Sequence, residues 1–178
     1  MENKTIYISD FKSPFGELIL GEFENQICIC DWKYRKKRSK IDKRIKSILK
    51  ASFKTEETDL LKKAKEQLTE YFEQKRQVFD LPILFAGSEF QRSVWEELVK
   101  IPFGKTDSYL GLAKKLGNEK AVRPVASANG ANSISIIVPC HRIIGSDGEL
   151  VGYAGGLLVK MKLLKLEGAV EDAQMSIF

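Results

Sequence analysis

Apolar and polar positions alternate with a period of two through the first third of the chain and then recur with a period near 3.6, so the pattern predicts strands first and helices later. KTIYIS, GELILGEF and QICICDW (residues 4–9, 16–23 and 26–32) read as three short strands of a meander, with turn signals at Ser13-Pro14 and Glu24-Asn25. Ile41, Ile45, Ile48 and Leu49 then recur at helical spacing. Leu60, Leu61, Ala64, Leu68, Tyr71 and Phe72 do the same over 58–74, after an acidic Glu56-Glu57 that suits a helix start, and predict one helix covering the small sheet. DLPILFAG runs extended through Pro82 to Gly87, where the pattern changes. The reading is an α+β chain: an N-terminal α/β domain over 1–87 and a mostly helical domain over 88–178.

The second part opens on Ser88-Glu89-Phe90-Gln91, which fits a capping box. A helix to Lys100 follows, with Phe90, Val94 and Leu98 on its core face, Trp95 beside them, and Ile101-Pro102-Phe103-Gly104 as its stop. Tyr109 to Leu116, a Gly117-Asn118 break, and Glu119 to about Ala128 make a helix-turn-helix candidate. The second helix carries the small residues Ala121, Ala126, Ser127, Ala128 and Gly130 around one long cation, Arg123. Small residues let a backbone approach a duplex, and they serve tight helix packing equally well. Pro124, about six residues into that segment, predicts a lost ladder bond and a bend.

IIVPCHRII (136–144) breaks an apolar run with the chain's one histidine, and IIVPC reads as a buried extended segment that delivers Cys140. GSDGELVGYAGG (145–156) has five glycines in twelve residues, a density expected where backbone lines a site. LLVKMKLLKLEG (157–168) is a helix ending at Glu167, where a carboxylate opposes the helix dipole by about 0.3–1 kcal/mol. Something else must hold Glu167 there.

Charge changes the picture in one place. The net charge of +5 hides a run from Lys33 to Lys50 with ten Lys/Arg and one Asp, a local +9 that leaves −4 for the rest. The run reads either as a polyanion patch or as the solvated back of the helix marked by Ile41 and Ile45. Three cysteines make no disulfide framework, and Cys28 and Cys30 share one face of a strand as small buried hydrophobes. A four-ligand zinc site would need all three cysteines and His141, so no metal is expected. The N-terminus lacks the order of a signal peptide, and no apolar run approaches the roughly 20 residues of a membrane helix. A soluble, cytoplasmic protein with no membrane partner is expected.

A cysteine attacks as thiolate and needs a base, and His141 is the one histidine. Adjacent side chains of an extended segment face opposite ways, so contact between Cys140 and His141 requires a sharp turn or one water. Glu167 is the carboxylate available to orient the imidazole. The motif PCHRII, preceded by FGKTDSYLGLAKKLGNEKAVRPVASANGAN and followed by GYAGGLLVKMKLLKLEG, resembles the methylated-DNA-protein-cysteine methyltransferases, or O6-alkylguanine-DNA alkyltransferases, from about Phe90 to Gly168.

The resemblance implies a ribonuclease-H-like N-terminal domain and a winged-helix-like C-terminal one that binds alkylated double-stranded DNA from the minor groove, as a monomer and without metal or cofactor. A flipped guanine would pass its O6-alkyl group to Cys140, with His141 deprotonating the sulfur through a water, Glu167 orienting His141 and Asn132 supporting the network. Tyr109 would donate to a guanine ring nitrogen, and Arg123 would fill the hole left in the duplex, with Ala121 and Asn129 also on the DNA side. Ile143 and Ala154 would read the base edge beside Tyr153, Gly155 and Gly156. Pro124, Glu119, Ala126-Ser127, Ser133 and Ser135 depart from the residues common in the family. Two other classes compete: a cysteine hydrolase using Cys140, His141 and Glu167 as a triad, and a binding module, whose family relatives lack the cysteine. A transcriptional activator of the family would need a zinc domain for which this chain has no room.

Overall fold

Alternation along three strands organises the first part of the chain. In the computed structural model, which describes residues 2–171, β1 (Lys4–Ser13), β2 (Gly16–Phe23) and β3 (Gln26–Trp32) form the expected antiparallel meander. Glu24 and Asn25 both take left-handed φ (47° and 63°), the geometry of the two-residue turn that matches strand twist. A fourth strand, β4 (Ala51–Thr55), pairs parallel to β1 and gives the order β3-β2-β1-β4. ASFKT carries no alternation strong enough to announce a strand, because an edge position with one neighbour asks little of its side chains. The DLPILFAG segment adds a bridge at the opposite edge, where Ile27 N–H donates to Pro82 O and Leu84 N–H to Ile27 O.

Two helices cover this sheet, not one. Helix α1 (Arg38–Leu49) buries Ile41 and Ile45 in a cluster with Ile6, Ile8, Ile19 and Ile29. Ile48 is 47 % exposed, and Leu49, one position on, fills the place expected for it. Helix α2 (Asp59–Phe72) packs on the other face, where its Lys65 Nζ reaches Ser9 Oγ and Leu61, Ala64, Leu68 and Tyr71 are buried. Its cap is Thr58 rather than the preceding glutamates: Thr58 Oγ1 accepts from Leu61 N–H and donates to the carboxylate of Glu22. Asp31, fully buried at the end of β3, accepts from Arg35, Arg38 and the Trp32 N–H, and so ties the sheet to the start of α1.

The chain divides into two compact units between Gly87 and Ser88. The second opens on α3 (Glu89–Val99), capped by the reciprocal bonds of Ser88 and Gln91. Val94, Trp95 and Leu98 are buried, and the Trp95 indole donates to Ala128 O at 2.8 Å. Phe90 is 41 % exposed instead of in the core, since helical side chains lean toward the N-terminus and a first-turn residue leans off the end. A two-residue β5 (Asp107–Ser108) leads into α4 (Tyr109–Lys115), capped by Ser108 Oγ on Gly111 N–H. Gly111 leaves room there for the Asp107 carboxylate, since a Cβ would lie 2.1 Å from Asp107 Oδ1 and force that side chain to move.

After Gly117 (φ +80°), Asn118 caps a 3-10 turn, Glu119–Ala121, and α5 (Val122–Gly130) follows. The ladder bond expected to be lost at Pro124 is not lost, for a simple reason. The 3-10 turn delays the α-helix, so Pro124 is its third residue, where the N–H has no intrahelical partner to lose. Residues 136–138 are likewise a turn rather than an extended segment, with Ile136 at φ +70°, and Cys140–Arg142 is a 3-10 turn that feeds β6 (Ile143–Ile144), parallel to β5. Helix α6 (Leu157–Leu166) closes the unit. No helix among the described residues is long and apolar enough to cross a membrane.

Pro124→Ala is expected to lower stability by about 0.4–1 kcal/mol, because a compatible proline acts by restricting the unfolded chain. A kinked helix would instead be relieved and stabilised, and urea unfolding followed by circular dichroism separates the two signs.

Candidate active site

Glu167 is the carboxylate that sequence reasoning found misplaced, and three partners hold it. Its Oε1 lies 2.7 Å from His141 Nε2 and accepts from Arg142 Nη2 at 2.9 Å, while Oε2 accepts from Arg142 Nε at 2.8 Å and from the Gly104 N–H at 3.4 Å. Burial pushes the Glu167 pKa up, but hydrogen bonds from His141 and Arg142 and the charge of Arg142 outweigh it and hold the carboxyl well below its usual range. Burial lowers the His141 pKa, with Glu167 opposing, so the imidazole is neutral at pH 7. The permanent cation that keeps Glu167 ionised is therefore Arg142. Its Nη1 also donates to Ile101 O at 2.6 Å, which binds the IPFG stop after α3 to the same centre.

An ionised Glu167 accepting at Nε2 fixes the tautomer: Nε2 carries the proton and Nδ1 the lone pair. Nδ1 is buried and has no hydrogen-bond partner among the described groups, Cys140 included. Adjacency in the 3-10 turn thus gives no direct bond between the two residues. Cys140 is 3 % exposed and none of the three cysteines is in a disulfide. The backbone that presents it is fixed by Asn132, whose Nδ2 donates to Val138 O and whose Oδ1 accepts from Ile134 N–H.

Lys160 was not anticipated. It is fully buried on α6, with Nζ donating to Val151 O and Gly152 O, both at 3.1 Å. Burial pulls its pKa down to about 8, and the charge of Cys140 offsets part of that, so the two groups are near enough to interact. A signal existed: Lys160 precedes Leu163, Leu164 and Glu167 by three, four and seven residues, which puts a lysine on the buried face of its helix. Arg142 was equally legible as a cation inside an apolar run. Tyr109 Oη donates to Val151 O at 2.8 Å, so one loop carbonyl is shared by Tyr109 and Lys160. Burial, followed by the nearby Cys140, raises the Tyr109 pKa and keeps the phenol a donor.

The remaining expected residues fall around this centre or on the helix-turn-helix. Ile143 is buried in β6, and Tyr153, Ala154 and Gly155 are half-buried in the glycine loop, with the Tyr153 ring 6.4 Å from that of His141. On α5 and the turn before it, Arg123, Ser127 and Gly130 are exposed, whereas Ala121, Ala128 and Asn129 are buried. Cys28 and Cys30 have different surroundings from Cys140. Burial pushes the Cys28 thiol up to about 12 and that of Cys30 higher still. Among the described residues no group of three or more His, Cys, Asp or Glu could hold a metal ion.

The family models for the 6-O-methylguanine DNA methyltransferase ribonuclease-like domain and DNA binding domain match residues 6–85 and 89–169. The chain belongs to this family. It is 40 % identical to a methylated-DNA–protein-cysteine methyltransferase of Methanosarcina acetivorans over 92 % of this chain and 99 % of the relative. It is 39 % identical to the constitutive methylated-DNA–protein-cysteine methyltransferase of Bacillus subtilis, over 90 % and 94 % of the two chains. The crystal structure of Mycobacterium tuberculosis OGT in complex with DNA superposes with a TM-score of 0.78 at 34 % identity, covering 93 % of each chain.

Glu167→Ala should destabilise the family member by about 3–5 kcal/mol, since it leaves the Arg142 guanidinium buried without its carboxylate; chemical unfolding measures this. His141 adds a pH dependence. Its folded pKa lies below its ordinary value of 6.5, so the unfolded chain takes the proton more readily and stability is lost as pH falls through and below about 6.5. Melting temperatures between pH 7.5 and 5 should show a slope that is shallower in His141→Gln.

Proposed function

We propose that this chain repairs DNA by direct reversal, taking the alkyl group of O6-alkylguanine onto Cys140 once per molecule. The observation that carries the assignment is the environment of that sulfur. Cys140 lies in a 3-10 turn directly before His141, whose Nε2 is held by the buried Glu167, and its charge acts on the buried Lys160 of α6. A cation beside a thiol favours the thiolate, the nucleophilic form. The Glu167 carboxylate is matched by Arg142, so Lys160 is the unmatched charge that an ionised Cys140 neutralises.

In the proposed reaction the Cys140 proton passes through a water to His141 Nδ1. The Sγ electron pair attacks the alkyl carbon, the carbon–O6 bond breaks with its electrons going to the base, and Tyr109 supplies a proton to a ring nitrogen as guanine leaves. Tyr109 must give up Val151 O to do so, and Lys160 keeps that carbonyl bonded while it does. The product thioether has no leaving group that water can displace, which makes the protein single-use. Chemistry at a stacked base requires the nucleotide to be turned out of the duplex. The exposed Arg123, Ser127 and Gly130 on α5 are proposed to face the minor groove, with Arg123 entering the vacated stack, and the loop around Tyr153, Ala154 and Gly155 is proposed to receive the base together with Ile143.

The unit from Ser88 on is therefore read as the DNA-binding, alkyl-accepting domain of winged-helix type. The unit to Gly87 is read as a ribonuclease-H-like partner domain, consistent with a mixed sheet flanked by two helices. A monomer in the cytoplasm fits cysteines held outside disulfides.

Incubation with a duplex carrying O6-methylguanine should add one methyl per protein, found by peptide mass on Cys140 and not on Cys28 or Cys30. Cys140→Ala should abolish transfer while keeping duplex binding. No adduct, or repeated turnover on an ester, would instead mark a cysteine hydrolase. Lys160→Met should slow transfer at pH 7 by about tenfold for each unit by which the thiol pKa rises. That deficit should narrow toward pH 9, and single-turnover rates across this range provide the check.

A further inference from the structure

The helix-turn-helix unit is nearly neutral. Residues 88–178 hold eleven Lys/Arg and ten Asp/Glu, a net charge of +1. Phosphate neutralisation supplies most of the non-specific affinity of a protein for duplex DNA, so a unit with this balance has little long-range attraction of its own. The positive charge sits elsewhere: residues 33–50 carry +9, and the rest of the first unit holds eight Lys/Arg and thirteen Asp/Glu, or −5.

The structure separates the part of this run that serves the fold from the part that does not. Arg35 and Arg38 are committed to Asp31 and Asp42, Arg44 Nε donates to Ala86 O, and Lys33 pairs with Asp10 and Glu17. Lys36, Lys37, Lys40, Lys43, Lys46 and Lys50 are all exposed, and the ion pairs among the described residues include none of them. Elsewhere in the same unit lysines are commonly paired, as Lys4, Lys54, Lys63, Lys65 and Lys75 are. Lys12 and Lys62 are also exposed outside these pairs, but only along residues 36–50 do six such lysines follow one another.

That surface is ordered. Ile41 and Ile45 turn one side of α1 into the core, so Lys40, Lys43 and Lys46 fall on the opposite side at helical spacing, with Lys50 at the left-handed C-cap. Lys46 is partly used, its Nζ lying 4.3 Å from the Phe53 ring centroid. From Lys40 to Lys50 the row runs about 15 Å along the axis, a span over which one DNA strand presents about four phosphates. The apolar side of α1 is already in the core, so the helix has no greasy face with which to enter a lipid surface.

We propose that the outer face of α1, with Lys36 and Lys37 before it, is a second contact for duplex DNA that binds phosphates without regard to sequence and supplies the salt-dependent hold on undamaged DNA. The proposal rests on the repair reading above for the identity of the polyanion. It assigns the two units different tasks: the second recognises the lesion, and the first keeps the protein on the duplex.

The test is the salt dependence of binding to an unmodified duplex, by fluorescence anisotropy between about 50 and 200 mM salt, for wild type and for the triple variant Lys36→Gln, Lys40→Gln, Lys43→Gln. A control variant, Lys54→Gln, Lys63→Gln, Lys75→Gln, removes the same charge from other exposed positions. Each lost phosphate contact lowers the slope of log K against log salt by about 0.9, so the first variant should lose between about 2 and 3 while the control keeps the wild-type slope. Affinity at the low-salt end should fall at least tenfold in the first variant only. An unchanged slope in the first variant, or an equal loss in the control, overturns the proposal. So does a first variant that keeps its duplex binding and loses only association with phosphatidylserine vesicles. Alkyl transfer from free O6-benzylguanine base reports on the repair reading separately: it should be equal in all three proteins, and its absence from wild type would count against that reading while leaving the slope comparison intact.

Discussion

The ion pair between Arg142 and Glu167 is the constraint on which the second unit depends. Neither charge could stay buried alone, because an unpaired ion inside a protein costs several kcal/mol. Together they join the stop after α3, the 3-10 turn that carries Cys140, and the C-terminal end of α6. The dipole at that end of α6 disfavours a carboxylate, but only by a fraction of what the guanidinium contributes. His141 then inherits its tautomer from a carboxylate whose ionisation is already secured. The order of dependence runs from Arg142 to Glu167 to His141, and the residue next to Cys140 is the last to be determined.

Much of this architecture is legible in the amino-acid sequence. The meander, the helix over 58–74, the capping box at Ser88 and the helix-turn-helix follow from period, caps and glycine turns, which are local properties. The features that were missed depend on partners distant in sequence. Strand β4 exists because β1 offers it an edge, and nothing in ASFKT declares it. Residues 136–138 look extended because they are apolar and β-branched, yet Asn132 folds them into a turn by bonding both Ile134 and Val138. Pro124 was misjudged by three residues of helix start, and that shift converts an interior proline into a first-turn one.

The site divides in the same way. Cys140, His141 and Glu167 stand out in the sequence, two by rarity and one by its awkward position. Arg142 and Lys160 carry a fainter signal, a cation on an apolar run or on a buried helix face, whose meaning depends on burial. They are nevertheless the groups that set the charge of the centre. Cys140, His141 and Glu167 are marked by their chemistry, whereas the roles of Arg142 and Lys160 follow from packing.

The burial of Cys140 has a further meaning for a protein used once. A thiol that serves as a nucleophile is also open to oxidants and stray electrophiles. At 3 % exposure the sulfur is screened from solutes that are not shaped and held as a base would be. Cys28 and Cys30 are protected differently, by surroundings that keep them protonated. Burial thus guards all three sulfurs, and for Cys140 it means that whatever reaches the sulfur must first be admitted by the packing around it.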